Sequence, residues 1–259
     1  MKKLRNFFRG TYLGLMLIFL YAPILVLMVF SFNGSKSMAR WTGFSFKWYE
    51  ALMHDSTIMN ALIVTLSVAV ISALVATFIG TFAAIGIHSM KKRPRAVVEN
   101  ISRLPMVNPD LVTGISFMML FAAMGIKGSY TRMLIAHITF NIPYVILNVL
   151  PKLKQTNKYT YEAALDLGAS PLYAFFKVTW PEISPGVFSG FMMAVTMSLD
   201  DFSITYFTKG AGVNTLSTML YTELKKGVKP ELYALSTILF FTVLLLLVVV
   251  NINSNQIPV

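Results

Sequence analysis

The chain has 259 residues, of which 56% are hydrophobic and only 13% are charged, whereas soluble domains are about 25% charged. It contains no cysteine, which excludes a disulfide framework, thiol catalysis and cysteine-bound metal. The net charge of +11 comes without an RNA- or DNA-reading motif, and basic residues flanking membrane spans explain it more simply. These properties predict an integral membrane protein organised as a single domain over residues 1–259.

Six apolar segments are each long enough to cross a bilayer, which takes about 20 helical residues. The sequence therefore predicts an all-α, polytopic membrane protein with six transmembrane helices. In chain order the predicted spans are residues 11–32, 58–87, 96–123, 130–150, 183–207 and 232–252. The first span follows a basic N-terminus, as a signal peptide does. It is too long for one and lacks a small-residue cleavage site, so we interpret it as a retained span.

The third predicted span contains Pro105 and Pro109 in "RLPMVNPDLV", so we expect a kink or a break there. One side of the membrane holds the N-terminus and the connections between spans two and three and between spans four and five. These segments carry more Lys and Arg than the connections on the other side. That bias predicts a cytoplasmic N-terminus. An even number of spans then makes the C-terminus cytoplasmic as well.

Two predicted outer loops, residues 33–57 and 208–231, carry aromatic side chains. These are Trp41, Trp48, Tyr49 and Tyr221. Such residues usually anchor a protein at the membrane interface. A docking surface for an external protein is the alternative interpretation.

The stretch "YEAALDLGASPLYAFFKVTWP", residues 161–181, has strong local signals. Gly168 stands where a left-handed helix C-cap is expected. Ser170 is a good N-cap, and Pro171 fits a first helical turn. The second helix has an apolar face formed by Leu172, Phe175, Phe176 and Thr179. The stretch therefore predicts two short helices joined at a glycine, with a break at Pro181 before the fifth span.

The first of these helices carries two carboxylates on one face, Glu162 and Asp166, which lie four residues apart. The adjoining residues Ala163 and Ala164 keep its surface small and apolar. This combination suits insertion into a partner's groove that is rimmed with Arg or Lys. The alternative is a helix lying on lipid, although an acidic face fits an anionic inner leaflet poorly.

This segment resembles the EAA loop of the membrane subunits of ABC importers. The family pattern is Glu-Ala-Ala, three residues, Gly, nine residues, Ile, one residue, then Leu-Pro. The matching positions here hold Glu162, Ala163, Ala164, Gly168, Val178, Trp180 and Pro181, so Val and Trp replace Ile and Leu. We use the name EAA loop for residues 151–182. The resemblance implies a type I ABC importer permease fold in which a cytoplasmic coupling helix, including Asp166, docks on an ATPase subunit.

The resemblance extends over nearly the whole chain, through "YAPILVLMVFSFN", "NPDLVTGISF", "AHITFNIPYVIL", "AALDLGAS" and "SLDDFSITYF". These stretches look most like the permease subunits of spermidine/putrescine importers. That likeness implies ATP-driven polyamine import across a bacterial inner membrane, with this chain forming half of the pathway. It also implies a homologous second permease, a cytoplasmic ATPase dimer that holds ATP and Mg, and an extracellular or periplasmic substrate-binding protein. This chain is expected to bind no cofactor and to be no enzyme. Relatives that carry iron or another small cation are similar, so that substrate class is the alternative.

Ionisable residues at membrane depth are costly and usually line a pathway. Counted at about 1.5 Å per helical residue, Asp110, Asp200, Asp201 and His137 all lie roughly 20–25 Å above the inner ends of their spans. Carboxylates accept hydrogen bonds from ammonium groups, and the ring of Tyr206 offers a cation–π face. We therefore predict that Asp110, Asp200, Asp201 and Tyr206 line the substrate pathway.

Each of these residues also has a structural interpretation. Asp110 follows a proline and can cap a restarted helix. Asp200 and Asp201 point about 100° apart on a helix, so one of them can pair with a neighbouring subunit instead. His137 fits a packed polar residue that donates to a carbonyl. The sequence predicts no metal site, since His54, His88 and His137 are scattered without a ligand spacing.

Two other functions compete with an ABC permease. A secondary transporter or channel would use the three carboxylates as ion ligands, but it leaves the EAA loop unexplained. A non-transporting scaffold or sensor leaves the carboxylates at membrane depth unexplained.

Overall fold

The structure, a computed structural model, describes residues 2–37 and 39–254. Within these ranges the chain is helical, and its β pairing is one isolated bridge between Asn33 and Phe44. The helices are α1 (Lys2–Ser31), α2 (Lys47–His54), α3 (Ser56–Ser89), α4 (Lys92–Val107), α5 (Asp110–Ala123), α6 (Ser129–Gln155), α7 (Lys158–Asp166), α8 (Pro171–Ala174), a π turn (Phe175–Thr179), α9 (Trp180–Asp200), α10 (Ser203–Thr208), α11 (Leu216–Lys226) and α12 (Pro230–Ser254). The predicted all-α class is confirmed.

Among the described residues, α1, α3 and α6 contain segments long and apolar enough to cross a membrane. Helices α4 and α5 make a fourth crossing if they count as one span, and they meet at an angle of 99°. The break expected near Pro109 is therefore confirmed. The total of six crossings stays a prediction. So does the cytoplasmic placement of the termini, since Met1 and residues 255–259 lie outside the described residues.

The fifth predicted span, residues 183–207, is wrong as a single continuous helix. Helix α9 ends at Asp200, and α10 begins at Ser203. Between them Asp201 has an extended backbone, with φ −65° and ψ 125°. We call this interruption the α9–α10 break.

Contacts along the backbone divide the chain into two compact units. Unit 1 comprises Met1–Met59 with Leu220–Val259, and unit 2 comprises Asn60–Met219. In unit 1, α12 packs against both α1 and α2. The interpretation of the whole chain as one domain stays a prediction.

The loop after α1 in unit 1 is organised by the buried residue Asn33. Its side-chain oxygen accepts a hydrogen bond from the Thr42 N–H at 2.9 Å, and its side-chain nitrogen donates to the Arg40 carbonyl at 2.8 Å. The indole Nε1–H of Trp48 donates to the Asn33 carbonyl at 2.6 Å. Trp48 is buried, so it belongs to the core of this unit, while Trp41 is exposed.

The core of unit 2 lies where α3, α6 and α9 meet. It is made of small and branched side chains, including Ala76, Val145, Val149 and Ala194. A Cβ atom on Gly80 would lie 2.7 Å from the Cβ of Val145, so only glycine allows α3 and α6 this close approach. Small residues at helix contacts are typical of membrane bundles, in which close van der Waals packing drives association.

Candidate functional site

Helix α7 of the EAA loop ends at a glycine C-cap, as the sequence predicts. Gly168 has a φ of +88°, a left-handed conformation that favours glycine. The Gly168 N–H donates to the Leu165 carbonyl at 2.9 Å, and the Ala169 N–H donates to the Ala164 carbonyl at 3.1 Å. This pair of bonds is a Schellman C-cap. Gly168 therefore turns the chain sharply between the two short helices.

The second helix of the EAA loop also starts as expected. The Ser170 hydroxyl accepts a hydrogen bond from the Tyr173 N–H at 3.3 Å, and Pro171 occupies the first helical turn. The break expected at Pro181 is wrong, because α8, the π turn and α9 form one uninterrupted helix. In the π turn the Trp180 N–H bonds to the Phe175 carbonyl, five residues back. This wider turn gives the proline ring room that a regular α turn would deny it.

The EAA loop presents acidic and apolar side chains together. Glu162 and Asp166 are both exposed on α7. Leu167, at the turn, is 89% exposed, and Leu172, at the start of α8, is 73% exposed. The predicted apolar face of the second helix is divided, since Phe176 is exposed while Phe175 is half-buried. A protruding apolar corner beside two carboxylates is typical of a surface that a partner covers.

An ionic contact joins the EAA loop to α4. Lys154 donates to the Glu99 carboxylate of α4 at 3.0 Å, and Arg95 holds the same carboxylate at 2.9 Å. A cavity of about 650 Å³ lies between the loop and the end of α3, and residues such as His88 and Tyr161 line it. Protein interiors are normally close-packed, so this void leaves the loop space to move.

The second candidate site is the α9–α10 break, where Asp201 caps the short helix α10. Its carboxylate accepts hydrogen bonds from the Ile204 N–H at 3.1 Å and the Thr205 N–H at 2.7 Å. The Thr205 hydroxyl donates to the same carboxylate at 2.8 Å. The Asp201 carbonyl accepts from the Ser217 hydroxyl at 2.8 Å. Asp201 is only 9% exposed, and its acceptor positions are used by the protein.

His137 of α6 connects this cap to α9. Its Nε2 lies 2.9 Å from the Thr205 hydroxyl oxygen and 3.5 Å from the Asp201 carboxylate. Its Nδ1 lies 2.5 Å from the Ser198 hydroxyl oxygen. His137 is 1% exposed. The packed polar role proposed for it is correct in kind, but its partners are two hydroxyls rather than a backbone carbonyl.

The same network continues from Ser198 to α3. The hydroxyl oxygens of Ser198 and Ser72 are 3.3 Å apart, and the Asn141 side-chain amide donates to Ser72 at 3.3 Å. Sequence analysis missed Ser72, Asn141, Ser198 and Thr205. Their only signal is polarity inside apolar segments, which serine and threonine often show in membrane helices because they bond to their own backbone.

Three of the four predicted pathway residues meet at the break. Asp110, Asp200 and Asp201 line one cavity of about 200 Å³, together with Phe140 and Ser203. Asp110 is the first residue of α5 and is exposed, as is Asp200. Asp110 therefore lies in the first turn of the restarted helix, but the N-cap residue is Pro109 and no side-chain hydrogen bond caps α5, so the capping role considered for Asp110 is wrong.

Tyr206 is placed apart from these carboxylates. It lines a separate pocket of about 590 Å³ with Phe207 and Lys209. Its ring lies 5.3 Å from the ring of Phe202, which does line the carboxylate cavity. The structure thus brings together the three acids but not the tyrosine.

Comparison with known proteins places these features in a family. Residues 76–255 match the family described as "Binding-protein-dependent transport system inner membrane component". The match covers well over half of the sequence, so the chain belongs to this family of transport permeases. It is accordingly a membrane-spanning component of a transport system and not an enzyme.

Two curated relatives cover most of the chain. The putrescine transport system permease protein PotI of Escherichia coli K12 is 38% identical over 229 residues, covering 85% of this chain and 81% of the relative. The spermidine/putrescine transport system permease protein PotC of the same organism is 35% identical over 240 residues, covering 93% and 91%. The resemblance to this group of permeases, expected from the sequence, is confirmed.

A solved structure supports the fold. The chain aligns with a bacterial ABC transporter involved in the import of the acidic polysaccharide alginate, with a TM-score of 0.71 and 14% identity. The alignment covers 99% of this chain and 97% of the other. At this identity the likeness shows the fold alone, which is that of an ABC transporter permease.

Proposed function

We propose that this chain is a permease subunit of an ATP-driven importer of polyamines, such as spermidine and putrescine. The relatives PotI and PotC are named for these two solutes. The observation that carries the proposal is the cavity shared by Asp110, Asp200 and Asp201. A polyamine is a flexible string of ammonium groups, and closely spaced carboxylates supply the acceptors that such groups need.

The carboxylate cavity is small for a binding site that encloses a whole polyamine. A volume of about 200 Å³ is below the 300–1,000 Å³ that is typical of high-affinity small-molecule sites. A transport pathway must release what it accepts, so weak sites suit it better than tight ones. In this proposal the cavity is one of several weak binding sites along the pathway. A homologous second permease supplies the other half of the pathway.

The EAA loop couples the pathway to ATP in the same proposal. A cytoplasmic ATPase dimer, which holds ATP and Mg, receives α7 and the corner at Leu167 in a groove with basic residues at its edge. Glu162 and Asp166 meet those basic residues, while Ala163 and Ala164 allow close approach. Closure of the ATPase dimer then pushes the EAA loop into the space of the adjacent cavity.

Movement of the loop switches the pathway between its two openings. A substrate-binding protein outside the membrane delivers the polyamine while the pathway opens outward. Because α8, the π turn and α9 form one helix, displacement of the EAA loop is carried along α9 to the α9–α10 break. The two conformations differ in which side of the membrane the carboxylate cavity faces, and ATP biases them.

Uptake by the complete transporter in proteoliposomes tests this function. We expect ATP-dependent uptake of labelled spermidine that excess putrescine inhibits and ferric iron does not. Inhibition by ferric iron but not by putrescine overturns the substrate class. Uptake that proceeds without ATP overturns the coupling and favours a channel or secondary transporter.

A further inference from the structure

The α9–α10 break begins a new helix at a local cap, where the Asp201 carboxylate accepts from the N–H groups of Ile204 and Thr205. Residues 200–203 read Asp-Asp-Phe-Ser, without the glycine or proline that usually interrupts a helix. Tertiary contacts add to this cap: His137 lies within hydrogen-bond distance of the Thr205 hydroxyl, and the Ser217 hydroxyl donates to the Asp201 carbonyl.

The hydrogen bonds at His137 have one consistent direction. The Thr205 hydroxyl has a single proton and donates it to Asp201, so its oxygen accepts from the Nε2–H of His137. With its proton on Nε2, a neutral imidazole accepts at Nδ1 from the Ser198 hydroxyl. His137 thus fastens α9, through Ser198, to the cap of α10, through Thr205.

The two adjacent aspartates are consequently unequal. Asp201 receives two backbone N–H groups and one hydroxyl and is buried, so few of its lone pairs remain for an ammonium group. Asp200 is exposed and lines the same cavity as Asp110. In a continuous helix the next residue would lie about 100° further around the axis. Asp200 keeps the direction that α9 gives it, whereas the extended backbone of Asp201 turns the Asp201 carboxylate onto the start of α10.

We propose that His137 is a positioning residue for cation binding: it holds the α9–α10 break so that Asp201 serves the fold and Asp200 is the member of the pair that binds the cation. His137 is itself too deeply buried to touch a solute. It acts through Thr205 and Asp201. This inference rests on the proposed function only in taking Asp200 as a substrate ligand.

The first experiment measures the KM and kcat of spermidine uptake by the reconstituted transporter. His137→Phe keeps a ring but removes both polar contacts, and we expect KM to rise about tenfold, the effect of roughly one lost hydrogen bond to a charged group, with kcat unchanged within about twofold. His137→Gln retains a donor toward Thr205 and is expected to restore most of the affinity. Thr139→Val, an exposed site on α6 whose hydroxyl bonds to its own helix at Ile135, is the matched control with unchanged KM.

A second measurement reports the position of Asp200 directly. The chain has no cysteine, so Asp200→Cys gives a unique thiol in this subunit, which a cationic thiol reagent labels in native membranes. Adding Thr205→Val removes the hydroxyl that bridges His137 and Asp201 at little cost in volume, and we expect the labelling rate to change severalfold. This arm decides the matter if His137→Phe fails to reach the membrane. An unchanged labelling rate overturns the inference.

The outcomes separate the inference from the function on which it rests. If Asp200→Asn leaves KM unchanged, Asp200 is no substrate ligand and the proposed pathway is wrong. If Asp200→Asn raises KM while His137→Phe and Thr205→Val do not, the pathway stands and the positioning role fails. A uniform loss of kcat with constant KM in the His137 variants indicates a packing role and also overturns the inference.

Discussion

The EAA loop is exposed, and its caps are hydrogen bonds between near neighbours in the sequence. The hydrogen-bond network at the α9–α10 break is buried, and it also includes residues of other helices. In the EAA loop, the capping bonds at Gly168 and Ser170 join residues three to five positions apart. At the break, His137 and Thr205 are 68 positions apart. The first region is shaped to meet another molecule, and the second is shaped by the rest of its own bundle.

Substitutions in the EAA loop and at the α9–α10 break are therefore expected to have different effects. A change in the EAA loop is expected to leave the fold intact and to alter coupling. A change in the buried network is expected to alter the fold first and transport second. Variants in the two regions should therefore differ in which measurement they change.

Replacing Gly168 by proline should give the greatest loss. Proline fixes φ near −65°, whereas Gly168 has a φ of +88°, so the turn between α7 and α8 cannot form. We expect ATP-driven uptake to fall by about 100-fold, as displacement of a positioning element does, with the amount of inserted chain unchanged. The measurements are uptake and membrane content of the chain.

The matched control at this position is Gly168→Asn, because asparagine tolerates the left-handed conformation. It should keep most of the uptake. Equal loss in both variants would show that the side chain at the corner, and not the backbone turn, is what matters.

Asp201→Asn should produce the second largest effect, and it should fall on stability. The buried carboxylate accepts three hydrogen bonds, and bonds to charged groups contribute about 1.5–3 kcal/mol each. We expect a loss of about 2 kcal/mol in the free energy of unfolding, measured in detergent with denaturant. Asp200→Asn, at the exposed neighbour, should change stability by less than about 0.5 kcal/mol. Equal destabilisation by the two variants contradicts the division between them.

Glu162→Lys reverses one charge on the exposed face of α7. If basic residues of an ATPase meet this face, we expect about tenfold weaker association, equivalent to about 1.4 kcal/mol. Pull-down of the ATPase by the tagged permease, at several salt concentrations, measures it. Glu50→Lys, an exposed site on α2, is the charge-matched control. Normal ATPase recovery with Glu162→Lys argues against docking at α7.

Asp55 also caps a helix, but it lies outside the predicted spans, and its expected contribution to stability is smaller than that of Asp201. Burial alone would raise its pKa, but the N–H groups of Ile58 and Thr57 and the Lys229 ammonium, 3.3 Å away, outweigh burial and lower the pKa. The charged form is therefore favoured in the folded state. Its contribution is present above the ordinary pKa of about 3.9 and is lost as the pH falls through the lowered folded value.

Thermal midpoints measured between neutral pH and acid check this expectation. The difference between the natural chain and Asp55→Asn should be constant above about pH 5 and shrink below about pH 4. A difference that does not depend on pH would show that the Asp55 charge contributes nothing to stability.

The sequence predicts much of the EAA loop because its structure is local. Gly168 and Ser170 have cap signatures that depend only on their neighbours, and both caps are confirmed. The break expected at Pro181 is wrong because a π turn accommodates the ring, and no residue in "FFKVT" signals such a turn. The docking roles of Glu162, Ala163, Ala164, Asp166, Gly168 and Pro181 stay predictions.

The sequence predicts which acids matter at the break better than it predicts how they are arranged. The helical rise from the inner ends of the spans places Asp110, Asp200 and Asp201 at similar depth, and these three residues line one cavity. That placement assumes a continuous helix, since the residues there contain no helix breaker. Asp201 caps α10 through near neighbours, while the further contacts that hold this cap come from Ser217 and His137, elsewhere in the chain. No local pattern reveals such pairings.

The π turn at Phe175–Thr179 has a consequence for how permeases of this kind can diverge. A π turn carries one residue more than the α turn that it replaces, and each helical residue advances about 100° in azimuth. Deleting a single amino acid here would convert the π turn into an α turn, so the cytoplasmic end and the membrane-embedded part of α9 would keep their relative directions. The same deletion in a regular stretch of this helix would turn the surface offered to the ATPase by about 100°, so the π turn is the place where a change of length is tolerated.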